Sequence, residues 1–314
     1  MERVHSLGRI GVLLAALGTA VAVASSASGA ASVGSDVSSN WAGYVVSAGY
    51  DATTGAAASY SNASGNWVQP AAKCGSAPGS TSAAFWVGLG GDSSSSNGLE
   101  QIGTESDCTA AGTARYSAWY ELVPAGSVKI ALKVAPGDKL SASVGVAGTK
   151  VSVKLTNLTS GKSFSRLLTM AAPDTSSAEW IAEAPSLCAT VDSSSCRQAA
   201  LTDFGKVSFS SSSVTNSSGH TGTITDPSWS ATALALDGAA AGFGFGHFAS
   251  ESGAAQAQPG ALRSGGSSFA VTWSSAPASG PGYGNGGPGY GNGGPGNGNG
   301  GPGNGNGGGS LYGF

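Results

Sequence analysis

Glu179 and Glu183 stand four residues apart in Ser177-Ala178-Glu179-Trp180-Ile181-Ala182-Glu183. The period of two in a β-strand puts residues 179, 181 and 183 on one face. Carboxylates on an otherwise apolar strand are costly to bury unpaired, which makes them candidates for acid–base chemistry. A solvated sheet face is the plain alternative for either glutamate. They are not a glycosidase pair with each other, because four residues of strand span about 13 Å and such mechanisms need roughly 5–9.5 Å.

Other chemistries are excluded by what the chain lacks. It has no GxSxG elbow and no HExxH helix, the signatures of familiar serine hydrolases and zinc proteases. Gly242-Phe243-Gly244-Phe245-Gly246 resembles a phosphate loop but has neither its lysine nor a following helix, and reads as a glycine-rich strand or turn. Of three histidines, His5 lies in the leader, His247 reads as structural and His220 as solvated in a Ser/Gly loop. Asn157-Leu158-Thr159 matches a glycosylation sequon. Carboxylate and amide chemistry set among aromatics is what remains.

The elements that must position these groups read as strands. Residues 82–88, 116–122, 127–134, 140–146, 150–155, 178–183, 206–209 and 269–273 are short apolar or alternating runs separated by Gly, Pro, Asp and Ser. Val128, Ile130, Leu132 and Val134 alternate with Lys129, Ala131 and Lys133, predicting one buried and one wet face. Many short strands with polar turns mean an all-β fold, an antiparallel sandwich or barrel.

Both ends of the chain stand apart from this core. Residues 1–30 carry Arg3 and Arg9, the apolar run Ile10 to Ala24, and small residues ending at Ala30, the pattern of a secretory signal peptide. Residues 280–314 hold 19 of the 52 glycines and no charge, with heptads opening at Pro281, Pro288, Pro295 and Pro302. Such a repeat has too little apolar surface to order itself and reads as a disordered tail. Tyr283, Tyr290, Tyr312 and Phe314 in it could contact a cell wall. Residues 31–279 are then one domain, exported, soluble and monomeric, with no membrane partner once the signal is cut.

With 14 basic and 17 acidic residues the net charge is −3, so there is no basic footprint for nucleic acid. Cys74, Cys108, Cys188 and Cys196 are an even set in an exported chain and read as disulfides. Cys188 and Cys196 bracket a short loop and pair, which leaves Cys74 for Cys108. No CxxC pair or histidine cluster accompanies them, so no metal is expected.

Several blocks also carry a family likeness. Ser39-Asn40-Trp41-Ala42-Gly43-Tyr44, Phe85-Trp86-Val87-Gly88-Leu89-Gly90-Gly91, Leu99-Glu100-Gln101-Ile102-Gly103, Tyr116-Ser117-Ala118-Trp119-Tyr120-Glu121, Ala178 to Glu183 and Phe204 to Phe209 occur in this order. Together they resemble the eqolisins, the fungal-type glutamic peptidases, over about residues 38–274. Asn157-Leu158-Thr159-Ser160-Gly161 fits the same pattern. The resemblance implies a two-sheet antiparallel β-sandwich, a concanavalin-like jelly roll, with a cleft on its concave face. It implies an acid endopeptidase acting on polypeptides without cofactor.

By motif the catalytic dyad is Gln101 and Glu179, with Glu183 as fallback for the glutamate. Glu179 would act as general base and then acid on water, and Gln101 would donate to the oxyanion. Trp86 and Glu105 match supporting positions, and Tyr116, Trp119 and Trp67 are candidate cleft aromatics. Where many fungal members carry an aspartate after the WVG segment, this chain has Gly90, and Asp92 could serve only through a rearranged loop.

Two other functions fit the same residues. One is a non-catalytic secreted sandwich that binds glycan or cell wall. The other is a glycoside hydrolase using Glu100, Glu105 or Glu121 opposite Glu179 or Glu183.

Overall fold

The computed structural model describes residues 1, 32–47, 59–75, 79–93, 96–188, 196–237, 256–275 and 312–313. The signal peptide, the tail heptads, His5, His247, the 242–246 run and the 189–195 loop lie outside the described residues. The first strands are β1 Val33–Ser38, β2 Trp41–Ser47, β3 Tyr60–Val68, β4 Ala84–Gly90, β5 Leu99–Cys108, β6 Ala114–Val123 and β7 Val128–Ile130. Then come β8 Lys139–Ala147, β9 Lys150–Asn157, β10 Lys162–Thr169, β11 Ser177–Glu183, β12 Ser186–Cys188 and β13 Cys196–Gln198. The last are β14 Lys206–Asn216, β15 Thr221–Gly222, β16 Ser230–Asp237, β17 Gln256–Pro259 and β18 Phe269–Ser274.

Alternation sets the faces. In β9, Val151, Val153 and Leu155 are buried while Lys150, Ser152 and Lys154 face solvent. One layer runs β10-β9-β8-β3-β14-β18 and the other β16-β2-β11-β4-β5-β6-β7, with β17 bonded to both β18 and β16. Pairing is antiparallel except for β1, which lies parallel to β16. The layers pack face to face as a β-sandwich. Trp180 Nε1 donates across the gap to the Ser64 carbonyl at 2.7 Å, and Trp67 Nε1 to Thr104 Oγ1 at 3.1 Å.

Phe85, Val87, Leu89, Ile102, Tyr120 and Trp180 from one layer meet Trp67, Leu140, Val144, Leu155, Val207 and Phe209 from the other. Each large side chain buried in this way contributes about 1.5–3 kcal/mol. The central strands β4 and β11 are buried on both faces. Behind them a second, smaller cluster forms from Trp41, Val45, Ala84, Trp86, Leu99, Trp119, Ile181 and Leu234.

The 127–134 run departs from expectation. Only Val128–Ile130 is strand, pairing with β6 alone, and Val128 is exposed. An edge strand has no second neighbour to extend its pairing, yet the alternation continues past it. Leu132 is buried and Ile130 and Val134 pack on the core, while Lys129, Ala131 and Lys133 are exposed. Cys74 and Cys108 are joined in a disulfide. Cys196 is also disulfide-bonded and lies opposite Cys188 in the β12–β13 ladder.

Candidate active site

Strand register assembles the site. Across β6, β5, β4, β11 and β2, one row reads Glu121, Gln101, Gly88, Glu179, Val45. Two residues along, the next row is Trp119, Gly103, Trp86, Ile181, Gly43, and the next Ser117, Glu105, Ala84, Glu183, Trp41. All three rows share the face that carries the smaller cluster. Gln101 and Glu179 come from sequence positions far apart, yet they stand in one row with a single glycine between them. Two strand spacings put their backbones about 9–10 Å apart.

Gly88 must be glycine. A Cβ there would lie 2.9 Å from Trp86 Cζ3 and 3.0 Å from the Glu100 carbonyl oxygen. Gly103 is equally constrained, since its Cβ would meet Trp86 Cβ at 2.6 Å. The Trp86 ring therefore leans over bare backbone between the two dyad strands. Its Nε1 donates to Glu183 Oε2 at 2.7 Å, and its ring meets Trp41 edge-on at 5.0 Å.

The polar groups on this face differ in their partners. Gln101 Nε2 donates to Glu121 Oε2 at 2.6 Å, while its Oε1 accepts nothing from the protein. Glu183 accepts from Trp86 and from Asn40 Nδ2 at 3.2 Å, so both its oxygens are engaged. Glu179 is completely buried and neither of its oxygens has a hydrogen-bond partner. Glu105 accepts from the Ser117 hydroxyl and lies 4.0 Å from Lys129 Nζ.

Burial dominates the proton affinities. It raises the Glu179 carboxyl well above its ordinary value, and the charges of Asp92, Asp174 and Glu100 raise it further. The nearby Ser177 hydroxyl opposes this without meeting hydrogen-bond geometry. Burial and the Glu183 charge push Glu121 to about 8, against the Gln101 hydrogen bond. Burial pushes Glu183 to about 7, against the Trp86 bond. Displaced carboxylates gathered on one face make it the candidate functional site.

The structure separates the sequence candidates. Gln101, Glu179, Trp86, Trp119, Glu105 and Glu183 share the face. Glu183 stands opposite Ala84, off the Gln101 row, and of the two glutamates only Glu179 lies on that row. Trp67 and Tyr116 do not line this face. Trp67 points into the inter-sheet core. Tyr116 has the opposite strand parity from Trp119, and its hydroxyl accepts the Ala72 N–H at 3.0 Å.

Glu121 is the contact that motif reading left without a role in the dyad, and its place at the end of the same block as Trp119 was the available signal. Among the described residues no three His, Cys, Asp or Glu side chains form a group that could hold a metal. His220 is engaged by Asp226 at 3.0 Å and packs on Trp229, so it is not merely solvated. Asn157 of the sequon is buried, its amide donating to Asp138 Oδ2 at 2.7 Å and to the Lys133 carbonyl.

Comparison with known proteins bears on the family and the fold. The Peptidase A4 family profile matches residues 39–235. The crystal structure of scytalido-glutamic peptidase with a transition state analog inhibitor is similar with TM-score 0.57 at 23% identity, covering 76% of this chain and 100% of that chain. The structure of SCP-B, a member of the eqolisin family in complex with the tripeptide Ala-Ile-His, is similar with TM-score 0.53 at 22% identity, over 76% and 100% of the two chains. At these identities the likeness speaks to the fold. No curated protein sequence matches the chain.

Proposed function

The chain belongs to the Peptidase A4 family, the glutamic peptidases, and on that premise we propose that it is an exported endopeptidase that cleaves polypeptides in acid with a Gln101–Glu179 dyad. The observation that carries the dyad is the register row with Gly88 between the two side chains. In this reading an ionised Glu179 takes a proton from water as the water oxygen bonds to the scissile carbonyl carbon. The resulting oxyanion accepts a hydrogen bond from Gln101 Nε2, which has one hydrogen left after donating to Glu121. Protonated Glu179 then gives its proton to the amide nitrogen as the C–N bond breaks.

The acid preference follows from like-charge repulsion. Glu121 and Glu183, raised to about 8 and about 7, are neutral in acid. Their neutrality removes like-charge repulsion that would add to the burial already raising Glu179, so the proton Glu179 must give up to act as base leaves more readily than beside ionised neighbours. Its two unpartnered oxygens are available to the nucleophilic water. Near neutrality Glu183 and Glu121 begin to ionise and restore that repulsion. Export is supported by the basic, apolar, small-residue order of residues 1–30 and by the disulfides.

The test is a pH-resolved cleavage assay on denatured protein, comparing wild type with Gln101→Ala, Glu179→Ala and Glu179→Gln. The expected result is pepstatin-insensitive cleavage in acid, abolished by either glutamate change and reduced on the order of a hundredfold or more by Gln101→Ala. Unchanged cleavage in the variants would sink the dyad.

A further inference from the structure

Gly90 ends β4 two residues beyond Gly88, with φ at +83°. A Cβ on Gly90 would lie 2.6 Å from Asp174 Cβ and 2.8 Å from the Asp174 carbonyl oxygen. The room a side chain at position 90 would need is thus filled by Asp174, which arrives from the segment between β10 and β11. Its carboxylate accepts from the Ser96 hydroxyl, from the Ser176 N–H at 2.9 Å and from the Gly91 N–H at 3.4 Å. Its own N–H donates to Glu100 Oε1 at 3.1 Å.

These bonds join the two halves of the dyad a second time. Glu100 precedes Gln101 directly, and Asp174 lies five residues before Glu179. The strands of Gln101 and Glu179 are not neighbours, since β4 runs between them. The Glu100–Asp174 bond links their ends independently of the ladder.

We propose that Asp174 is a positioning residue for the dyad, supplying from the β11 lead-in the carboxylate that position 90 does not carry, tying the β4–β5 turn to β11 and placing a fixed negative charge beside Glu179. The proposal rests on the reading of Glu179 as the base. The groups coupled to Glu179 are Asp92 after β4, Glu100 on β5, Asp174 and Tyr60 on β3. Glu121, Glu183 and Glu105 share its face.

Asp174 is distinct among the nearby acids. Burial raises Asp92, which gives up its proton less readily than an ordinary aspartate, and pushes Glu100 to about 8, so Glu100 is neutral in acid. Burial alone would raise Asp174 too, but the bonds from Ser96, Ser176 and Gly91 together hold it below its ordinary value. It therefore keeps its charge into stronger acid than an ordinary aspartate does.

Asp174→Asn keeps an acceptor for Ser96 and removes the charge. With a negative neighbour gone, Glu179 ionises more readily, so the acid limb of kcat/KM moves to lower pH, by roughly one unit. Thermal unfolding at each pH shows whether the variant is folded. A folded Asp174→Asn whose profile superimposes on wild type overturns the proposal. If Asp174→Asn does not fold, Ser96→Ala carries the test. It loosens the carboxylate, lets Asp174 take up a proton, and should shift the limb in the same direction; no shift overturns the proposal. Glu179→Gln is assayed beside them: activity in that variant overturns the dyad itself, whereas an inactive Glu179→Gln with an unshifted Asp174→Asn overturns only the role of Asp174.

Discussion

Gln101 Nε2 lies 2.6 Å from Glu121 Oε2, a bond between neighbouring strands that fixes which end of the amide faces the carboxyl. A carboxamide can turn end for end at little cost, and only its NH2 end can donate to an oxyanion. In the observed arrangement Glu121 accepts from the NH2 end, which keeps one hydrogen for an oxyanion. Glu121→Ala should lower kcat by roughly ten- to a hundredfold with KM little changed, since the lost interaction matters in the transition state. Glu121→Gln offers an acceptor oxygen at the same place and should recover most of that loss. Steady-state kinetics on the two variants check it; equal loss in both would place the effect in packing.

Stability should fall as pH rises. Glu100 and Glu121 are raised to about 8, and Glu183 and Asp107 to about 7, in each case chiefly by burial. A carboxylic acid with raised folded pKa holds its proton in the folded state after the unfolded chain has lost it. Its contribution is complete below the ordinary carboxylate value of about 4 and is lost as pH climbs through the folded value. Asp174, lowered, contributes in the other direction, and its share is lost only in stronger acid. The midpoint of thermal unfolding should therefore be highest near pH 4 and decline continuously to pH 8. A midpoint that rises over that range would contradict the carboxyl assignments.

Much of this was legible from local pattern, and the rest was not for identifiable reasons. The period-two reading put Glu179 and Glu183 on one face because both lie on one strand. It could not rank them, because the ranking depends on which residue Gln101 meets across β4, and long-range register is written in no single segment. Trp119 and Trp67 look alike in sequence. The first faces the site and the second the inter-sheet core, a difference of strand parity that becomes fixed only when layers pack. Asp174 gave no signal at all, since Met170-Ala171-Ala172-Pro173-Asp174 reads as ordinary connection. Its meaning comes from the empty side-chain position at Gly90.

Trp86→Phe isolates one hydrogen bond while nearly preserving the ring. Glu183 would lose the Nε1 donor at 2.7 Å and keep Asn40. That donor favours the ionised carboxylate, so without it the Glu183 carboxyl should move further above about 7. A buried neutral acid missing one partner costs less than a buried anion missing one. The loss of stability should accordingly be larger at pH 8 than at pH 4, on the order of 1–3 kcal/mol at the higher pH. Thermal unfolding at both values tests this, and an equal loss would mean that the bond does not discriminate between the two forms.

Gly88→Ala adds one methyl at the middle of the dyad row. The new carbon would stand 2.9 Å from Trp86 Cζ3, 3.0 Å from the Glu100 carbonyl oxygen and 3.3 Å from Gln101 Cβ. The carbonyl belongs to the sheet ladder and cannot withdraw, so the Trp86 ring must move. Overpacking of this kind costs about 1–3 kcal/mol. Displacing the ring also disturbs its bond to Glu183 and narrows the space between Gln101 and Glu179 that the scissile peptide would enter. Activity should fall by more than the stability loss accounts for, with KM raised as well as kcat lowered. Gly145→Ala is the control for adding a methyl to a strand away from the dyad face: its carbon would meet Ser152 Oγ at 2.7 Å, an exposed hydroxyl that can rotate aside, so it should lose less stability. Kinetics at a temperature where both variants are folded separate the two effects. If Gly88→Ala keeps full activity where both variants are folded, the gap between Gln101 and Glu179 is not where the substrate lies.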